Sequence, residues 1–485
     1  MAHTNVADAD GRQPLPLPRV MHLNLTNACN LNCRICRPED FRYTATYLDR
    51  PVIERVVEEA FDSLVELRLD SSGELLMAKD LPYVLEEATR RNIATKICTN
   101  GILLGDEEAE MICRSSITNV QISLDSPDKD TLEWIRTRAK FEKVLQGAET
   151  LVKWRRQLGN TRLRINFHGA VLRQNLDQLP DLIRLAKQVG VDDVSVAYGF
   201  IHAYMDPEWA VFWEKDRYRD VLREVRWVAE DLGVGFNAPP DFGQLTAASR
   251  RCDFLFQQTY INPNGKVAPC CIGPNGVTGD LHDQSLSEIW HGETYQSFRD
   301  TYQSDAPAFD KCGACYIMQG WSPDDYKPHF HPVHWPYVMA RLQGDEAAKA
   351  FNGAPVTLFR KQDGRTEAVV MRYGQMPTLD GRRLLVFGAG DGGRQALDIL
   401  GQAGMGAQVV GVCDNDPAKA GHDFEGFVVS RFEDVPADGF DYVVIASSFG
   451  ARDIAAQLQA AGLRNRHQYG TMAFVSANVL GRKAA

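Results

Sequence analysis

Three cysteines near the start of the chain have the type and spacing of a metal-cluster ligand set: Cys29, Cys33 and Cys36, in C-x3-C-x2-C order. They follow the apolar run 20–25, which predicts a strand, so they should lie on the loop that leaves its C-terminal end. Thiolates are the usual ligands of iron–sulfur clusters, and three of them can hold three irons of a [4Fe–4S] cube while the fourth iron stays open. The alternative is a zinc knuckle, but zinc sites usually have four ligands and paired C-x2-C or Cys/His spacing.

Four more cysteines indicate a second site in the middle of the chain. Cys252 precedes and Cys270 ends a segment whose Asn-Pro-Asn-Gly sequence at 262–265, between two apolar runs, predicts a β-hairpin. Cys312 and Cys315 form a C-x2-C pair farther on. Four thiols from three places can enclose one metal site with no open position, and zinc is again the alternative to a cluster.

The first part of the chain must supply the elements that position these loops. Its short apolar segments predict six strands, at 20–26, 65–70, 93–98, 119–124, 162–170 and 193–197. The amphipathic segments between them predict helices at 51–61, 81–91, 106–113, 141–156 and 179–189. Six β/α units in series predict an α/β fold, a partial (β/α)6 TIM-type barrel, whose chemistry should lie at the C-terminal ends of the strands.

The last part of the chain repeats this alternation on a smaller scale. The strand 384–387 is followed by Gly388, Gly390 and Gly393 and then by a helix, and a second strand ends near Asp414. This context predicts a Rossmann-like parallel sheet, because such glycines let a phosphate approach the helix N-terminus and the acidic residue meets a ribose hydroxyl. NAD or a nucleotide sugar would be the ligand. The alternative is a Rossmann-like domain kept for packing or dimerisation, without a ligand.

Composition argues against a nucleic-acid-binding protein, a membrane-spanning protein and a secreted protein. The 485 residues are 44% hydrophobic and carry a net charge of −11 with both signs interspersed, whereas a nucleic-acid-binding face is usually basic. No run approaches the roughly 20 apolar residues of a membrane span. The polar, proline-rich start lacks the apolar core of a signal peptide. We therefore expect a cytoplasmic protein whose cysteines are metal ligands and thiols rather than disulfides.

These patterns divide the chain into six predicted segments. A disordered tail (1–18) precedes the barrel (19–235), and the region of the second cysteine group follows (236–320). A linker (321–380) then leads to the Rossmann-like domain (381–476) and to a C-terminal tail (477–485).

The octet 29–36 resembles the signature of the radical S-adenosylmethionine (radical SAM) superfamily. In that family the amino and carboxylate groups of SAM bind the open iron, and reductive cleavage of SAM yields a 5′-deoxyadenosyl radical that takes a hydrogen atom from the substrate. The resemblance therefore implies two cofactors at this site, a [4Fe–4S] cluster and SAM. It also places Ile35 near the adenine of SAM.

Two loops at predicted strand ends are similar to SAM-contact motifs of the same family. Gly73 and Glu74 lie in Ser-Ser-Gly-Glu-Leu-Leu, similar to the GGEPLL-like motif that binds the SAM amino group, with Ser and Leu in place of the first Gly and the Pro. An ordinary turn before a helix is the alternative. Ser123 and Asp125 lie in a Ser-x-Asp segment that in the family contacts the methionine carboxylate and the ribose. Three cations follow that could pair with the carboxylate: Arg136, Arg138 and Lys143.

The second cysteine group resembles the auxiliary-cluster domain of radical SAM enzymes, which is called SPASM or, in its shorter form, twitch. The family's G-x4-C element runs from Gly265 to Cys270, but the additional cysteines of a full SPASM domain do not follow Cys315. The resemblance therefore implies one auxiliary [4Fe–4S] cluster, with the ligands Cys252, Cys270, Cys312 and Cys315. Cys271 is the second choice for a ligand, because beside Cys270 in a strand it would point the opposite way.

The resemblance also implies an enzyme that takes a hydrogen atom from a small molecule. An auxiliary cluster can accept an electron from the substrate radical, which suits oxidation of an alcohol, and the Rossmann-like domain favours a carbohydrate or aminocyclitol. The alternatives are epimerisation of a sugar carbon, maturation of a ribosomal peptide, and a non-enzymatic role as an iron–sulfur electron carrier or redox sensor. A flavodoxin or ferredoxin would supply the electron, and neither nucleic acid nor membrane is an expected partner.

Overall fold

The structure is a computed structural model, and it describes the following residues: 15–37, 44–70, 72–245, 252–270, 276–304, 307–309, 312, 315, 322–331, 334–343, 356–362, 365–371, 379, 381–402, 404–446, 454, 457–458, 460–463 and 469–471. The chain forms two compact units. The first comprises Met1–Cys33, Ala45–Gly199 and Val211–Asp325, and the second comprises Arg34–Thr44, Phe200–Ala210 and Tyr326–Ala485.

A ten-stranded sheet forms the centre of the first unit. Its strands are β1 (Val20–Leu23), β2 (Glu66–Leu69), β3 (Ala94–Thr99), β4 (Ile117–Ser123), β5 (Arg164–Val171), β6 (Asp193–Tyr198), β7 (Gly235–Asn237), β8 (Gln258–Ile261), β9 (Lys266–Ala268) and β10 (Gly279–Asp280). Their order in the sheet is β10-β9-β8-β1-β2-β3-β4-β5-β6-β7. Strands β1 to β7 run parallel, each beside the next. The predicted α/β partial barrel is therefore confirmed.

Helices follow the strands as the amphipathic pattern predicts. They are α1 (Arg50–Ala60), α2 (Leu81–Arg90), α3 (Asp106–Arg114), α4 (Lys129–Ile135), α5 (Phe141–Gln157), α6 (Leu179–Val189), α7 (Lys215–Leu232), α8 (Asp253–Gln257), α9 (Leu286–His291) and α10 (Glu293–Thr301). A proline in the first turn starts α1, α2 and α6, where its missing N–H would have no helical partner. Gly190 and Gly233 end α6 and α7 in the left-handed conformation that favours glycine.

The two faces of the sheet differ in chemistry. Side chains alternate along each strand, so one set, the apolar face, is at most 5% exposed and consists of Met21, Leu23, Leu67, Leu69, Ile97, Val120, Ile122, Ile165, Phe167, Val194 and Val196. The other set, the polar face, consists of His22, Arg68, Lys96, Gln121, Asn166, His168 and Ser195. Parallel sheets are usually apolar on both faces. The exception here leaves a surface of hydrogen-bonding groups beside the strand ends.

The sheet continues past the predicted limit of the barrel on both sides. A seventh parallel strand, β7, begins at Gly235 and pairs with β6. The predicted hairpin forms as β8 and β9, with Gly265 in its turn at φ +72°, and β8 pairs in parallel with β1. The hairpin and the barrel strands therefore share one hydrogen-bonded sheet rather than lying on either side of a boundary at 235.

Part of the predicted N-terminal tail is ordered against the same unit. The main-chain oxygen of Pro16 accepts a hydrogen bond from Trp290 Nε1 at 3.0 Å, and that of Leu15 lies 2.8 Å from His291 Nε2. Residues 15–18 therefore have fixed contacts, which a polar, proline-rich composition does not indicate. Residues 1–14 lie outside the described part of the chain.

The second unit contains a small parallel sheet. The described helices and strands of this unit are α11 (Trp335–Gln343), β11 (Val356–Gln362), β12 (Arg365–Met371), β13 (Leu384–Phe387), α12 (Asp391–Gln402), β14 (Val409–Cys413), β15 (Asp423–Phe424), β16 (Phe427–Val428), β17 (Tyr442–Ile445) and β18 (Tyr469–Thr471). The order of strands in the parallel sheet is β14-β13-β17-β18. The prediction of a plain linker over 321–380 is corrected, because α11 and the antiparallel β11–β12 pair lie within it. The predicted tail 477–485 lies outside the described residues.

Within the described residues, none of the helices has the length and apolar character that crossing a bilayer requires.

Candidate active site

The cluster loop, residues 29–36, follows β1 as predicted. Cys29 is half-buried, Cys33 is buried, Cys36 is exposed and Ile35 is half-buried. The Cys29 sulfur accepts a hydrogen bond from the Leu31 N–H at 3.4 Å. Hydrogen bonds from main-chain N–H groups stabilise the thiolate form that binds iron, so this loop has the chemistry of a cluster site.

The loop after β2 is hydrogen-bonded to the cluster loop. The Glu74 N–H donates to the Ala28 oxygen at 2.7 Å. The Glu74 carboxylate, 1% exposed, accepts from the Leu76 N–H at 3.1 Å, from the Thr99 hydroxyl at 2.6 Å and from the Asn100 N–H at 2.7 Å. Burial raises the pKa of Glu74, although these hydrogen bonds oppose the rise. A carboxylate has about four acceptor positions, and the contact with the SAM amino group stays a prediction.

Gly73 is required by the close approach of these two loops. A Cβ atom at this position would lie 2.0 Å from the Ala28 oxygen and 2.5 Å from the Asn27 carbonyl carbon. Both are main-chain atoms, so relief of the clash would require the whole loop to shift. The glycine therefore lets the loop after β2 pack directly against the residue before Cys29.

Replacing Gly73 with alanine is expected to reduce SAM cleavage about 100-fold, the usual effect of displacing reacting groups by about 1 Å. The physical reason is the forced separation of the Glu74 loop from the cluster loop. Cleavage is measured as 5′-deoxyadenosine released by reduced protein. Gly401→Ala is the matched control, because a Cβ there meets nothing within 4 Å. Equal rates for the two variants would contradict the prediction.

Ser123, at the end of β4, lies on the same side of the sheet as a cysteine that sequence reasoning did not single out. Its hydroxyl is 3.7 Å from the sulfur of Cys98, in β3. Burial raises the pKa of the Cys98 thiol, so that thiol stays protonated at neutral pH. The structure thus brings Ser123 beside a neutral sulfur at the C-terminal ends of adjacent strands.

Asp125 forms a buried ion pair with Arg136. Asp125 Oδ2 and Arg136 Nε are 2.6 Å apart, and the two side chains are 0% and 13% exposed. Arg136 Nη2 also donates to Asp125 Oδ1 at 3.1 Å, and that oxygen accepts from the Ala170 N–H at 2.8 Å. Burial alone would lower the pKa of Arg136, but Asp125 and the Cys33 thiolate raise it above its ordinary value. Of the three cations predicted from sequence, Arg136 is thus within electrostatic reach of the cluster cysteine Cys33.

Polar pairs on the polar face extend the site and were not anticipated. His22 Nδ1 lies 2.7 Å from Asp70 Oδ2, and its ring stacks with Phe254 at 6.4 Å between centroids. His168 Nδ1 lies 2.8 Å from the Ser195 hydroxyl, and burial lowers the pKa of His168, so its ring is neutral at pH 7. The only sequence signal for these residues is alternation with the apolar face. These side chains give the polar face hydrogen-bonding groups at His22 and His168.

The four predicted auxiliary ligands all belong to the first unit. Cys252 is the N-cap of α8. Burial raises the pKa of Cys252, the Leu255 and Phe254 N–H groups oppose the rise through hydrogen bonds to its sulfur, and the proximity of Cys315 adds to it. Cys252 and Cys270 both interact with the Tyr295 phenol. The Cys315 N–H donates to the Cys312 oxygen at 3.3 Å in a tight turn.

The spacing of these thiols bears on which metal they could hold. Among the described residues, no three Cys, His, Asp or Glu side chains lie close enough together to share a single metal ion. A cluster is held by thiolates spread around several irons, so the assignment of these cysteines to an auxiliary cluster stays a prediction. Cys271, the second choice for a ligand, lies outside the described residues.

In the glycine-rich segment of the second unit, Asp414 makes three hydrogen bonds within the protein, and its contact with a ribose stays a prediction. Asp414 Oδ2 accepts from the Ala389 N–H at 2.7 Å and from Lys419 Nζ at 3.0 Å, and Oδ1 accepts from the Asp416 N–H at 2.9 Å. The carboxylate predicted to bind a ribose thus ties the glycine-rich loop to the end of β14.

The three glycines of that segment are not equivalent. A Cβ atom at Gly393 would lie 2.1 Å from the Gly388 oxygen, so this glycine allows α12 to pack closely on the loop, and Gly388 has a positive φ of 125°. Gly390 has open space around it. Asp391, the first residue of α12, accepts hydrogen bonds from the Thr44 N–H and hydroxyl at 2.6 and 3.0 Å. The Asp391 carboxylate therefore lies at the N-terminus of α12, where the phosphate of a nucleotide is predicted to bind. Binding of a nucleotide here stays a prediction.

Three family descriptions match the chain. "Radical SAM superfamily" matches residues 23–186, and "Iron-sulfur cluster-binding domain" (SPASM) matches residues 252–316. "C2185-like, N-terminal" matches residues 381–468. The two cysteine groups predicted as cluster sites lie within the first two matches.

Curated relatives and solved structures are similar to between about half and two thirds of the chain. The PqqA peptide cyclase of Granulibacter bethesdensis is 25% identical over 296 residues, which are 59% of this chain and 77% of that protein. The tungsten-containing aldehyde ferredoxin oxidoreductase cofactor-modifying protein of Pyrococcus furiosus is 24% identical over 303 residues, 58% of this chain and 83% of that protein. The crystal structure of Streptococcus suis SuiB bound to S-adenosylmethionine covers 62% of this chain and 69% of that chain, at a TM-score of 0.47 and 17% identity.

Proposed function

Since this chain is a radical SAM protein with a SPASM-type auxiliary-cluster domain, we propose that it is an enzyme that modifies a peptide. The SAM-binding [4Fe–4S] cluster, when loaded with SAM, supplies the 5′-deoxyadenosyl radical that takes a hydrogen atom from the substrate. Cys29, Cys33 and Cys36 would hold that cluster, and Cys252, Cys270, Cys312 and Cys315 would hold the auxiliary [4Fe–4S] cluster.

The observation that carries the peptide proposal is the length of the match to the PqqA peptide cyclases. A match of 296 residues is too long for the barrel at 23–186 alone, so it includes more than the cluster signature that all radical SAM proteins share. Oxidation of a carbohydrate, which the Rossmann-like domain favours, has no counterpart among the names of these relatives. Peptide maturation therefore has the better support.

The described residues suit this proposal chemically. Arg136, balanced by Asp125, can orient the SAM carboxylate, and Glu74 can accept a hydrogen bond from the SAM ammonium group. The polar face offers His168 and Ser195 as hydrogen-bonding groups for a peptide main chain. A flavodoxin or ferredoxin would deliver the electron, in the reducing cytoplasm where thiolate-bound clusters persist.

The proposal is tested with both clusters reconstituted under anaerobic conditions. Reduced enzyme and SAM are incubated with synthetic short peptides encoded beside the gene and, separately, with nucleotide sugars and aminocyclitols. We expect a peptide to stimulate 5′-deoxyadenosine release and to lose two hydrogen atoms in mass. Stimulation by a sugar or cyclitol alone, with every peptide unchanged, would overturn the peptide proposal and restore carbohydrate oxidation.

Replacing Cys315 with serine is expected to separate the two steps of the reaction. The auxiliary site loses a ligand that lies within electrostatic reach of Cys252, so the bound iron should fall by about half, whereas the first cluster site keeps its three ligands. SAM cleavage should persist while formation of modified peptide falls at least about 100-fold. Iron content, 5′-deoxyadenosine and peptide mass are measured together.

Cys413→Ala is the control for Cys315→Ser. Cys413 is a fully buried cysteine at the end of β14 in the second unit, outside both cysteine groups. Its replacement should leave iron content and product unchanged. A Cys315→Ser protein that forms product at the normal rate would show that the auxiliary site has no part in the chemistry.

A further inference from the structure

The loop between Cys29 and Cys33 is held by protein contacts at three successive residues. The Asn30 Oδ1 atom accepts a hydrogen bond from Asn100 Nδ2 at 2.7 Å. Leu31 is buried, and the Asn32 N–H donates to the Thr137 oxygen at 3.1 Å. The spacing of the first two candidate iron ligands is therefore set partly by residues outside the cysteine motif.

Asn100 is suited to this contact because the rest of its amide is already fixed. Its Oδ1 atom accepts from the Ile102 N–H at 3.0 Å, which closes a turn on the residue itself, so only Nδ2 is left to donate. The side chain is 7% exposed, and water therefore cannot replace a lost partner cheaply. The orientation of the Asn100 amide follows from these two contacts together.

Asn100 also joins the cluster loop to the loop that carries Glu74. Its main-chain N–H donates to Glu74 Oε2 at 2.7 Å, and the preceding Thr99 donates its hydroxyl to Glu74 Oε1 at 2.6 Å. One residue thus contacts the loop of Cys29 through its side chain and Glu74 through its main chain. Movement at Asn100 would shift both groups that are expected to face SAM.

We propose that Asn100 is a positioning residue that fixes the Cys29–Cys33 loop through Asn30 and thereby sets the affinity of the site for SAM. Asn100 does not itself have to touch SAM or iron. The proposal rests on the radical SAM assignment and is independent of the peptide substrate, because SAM binding is measured without any substrate. Failure of the peptide proposal would leave it intact.

A double-mutant cycle tests the contact. Asn100→Asp keeps the acceptor for the Ile102 N–H and removes the donor to Asn30, while Asn30→Ala removes the acceptor. Each change is expected to raise the Kd for SAM about tenfold, the effect of one buried hydrogen bond, in protein with both clusters reconstituted. The double variant should be no weaker than either single variant, because both remove the same interaction. Asn119→Asp, which makes the same change of charge in β4, should keep the normal Kd.

Hydrogen exchange provides a readout that needs no iron and no turnover. In metal-free protein, the Leu31 and Asn32 amides of the cluster loop should exchange about tenfold faster in Asn100→Asp and Asn30→Ala than in the parent, while the β1 amides exchange at the parent rate. Should Asn100→Asp fail to fold, Asn30→Ala alone still tests the contact, because Asn30 is only half-buried. Normal SAM affinity in both single variants, or losses that simply add in the double variant, would overturn the proposal.

Discussion

Replacing Cys33 with serine is expected to abolish SAM cleavage and to reduce the bound iron from about eight to about four atoms per chain. Cys33 is the most buried of the three cysteines in the loop after β1, and the buried Arg136 cation lies within electrostatic reach of its sulfur. Loss of this ligand leaves two thiols, too few to hold a cluster with one open iron. Iron analysis, the spectrum of the reduced cluster and 5′-deoxyadenosine release measure the effect.

Cys113→Ala is the control for this variant. Cys113 is a buried cysteine in α3 whose sulfur lies 3.9 Å from the Leu151 oxygen, and burial raises the pKa of its thiol to about 11, so it is a neutral core residue. Its replacement should keep the full iron content. A Cys33→Ser protein with full iron and normal cleavage would mean that the loop after β1 is not the SAM-binding cluster site.

Replacing Asp125 with alanine is expected to destabilise the folded protein by about 3–5 kcal/mol, the cost of leaving a buried charge without its partner. Arg136 would keep its charge in a site where its own side chain is 13% exposed, and the Ala170 N–H would lose its acceptor. Urea unfolding should show a lower midpoint with an unchanged slope. SAM binding should weaken as well, because the guanidinium group loses its fixed orientation.

Two further variants separate charge from shape at this pair. Asp125→Leu combined with Arg136→Met removes both charges and should recover most of the lost stability, since replacing both members of a buried pair is often neutral. It should not recover SAM binding. Asp130→Ala, an exposed aspartate in the first turn of α4, should leave the midpoint unchanged. An Asp125→Ala midpoint equal to that of Asp130→Ala would contradict the role given to the ion pair.

The barrel could be predicted because each of its strands carries a local signal. The apolar runs placed six strands to within about three residues at each end, and the Asn-Pro-Asn-Gly turn located the β8–β9 hairpin. The short strand β7 was missed because Gly235-Phe236-Asn237 has little strand propensity, and it forms by pairing with β6. Pairing of β8 with β1 joins residues more than 230 positions apart, and no local pattern encodes such a contact.

The candidate site was predictable in its residue types but not in its contacts. Glu74 and Asp125 stand out as carboxylates after predicted strands, yet their burial and their partners Asn100 and Arg136 depend on how neighbouring strand ends meet in space. Asp414 is a similar case, because its position 21 residues after Gly393 predicts a ribose contact from sequence, whereas its hydrogen bond from the Ala389 N–H depends on how β13 and β14 pair. Motifs identify the groups available, and tertiary pairing decides what each one does.

The division of the sheet into an apolar and a polar face has a consequence for how this protein can change over generations. The apolar face contributes to the hydrophobic core, whereas His22, Gln121, His168 and Ser195 of the polar face contribute hydrogen bonds that a new ligand could use differently. Truncation on the apolar face leaves a cavity in the core, whereas exchange of one hydrogen-bonding side chain for another on the polar face can keep the buried partners satisfied and alter substrate preference. Exchanges of that kind are therefore tolerated more often than changes of volume on the apolar face. A barrel built in this way can acquire new substrates by a series of small, viable steps.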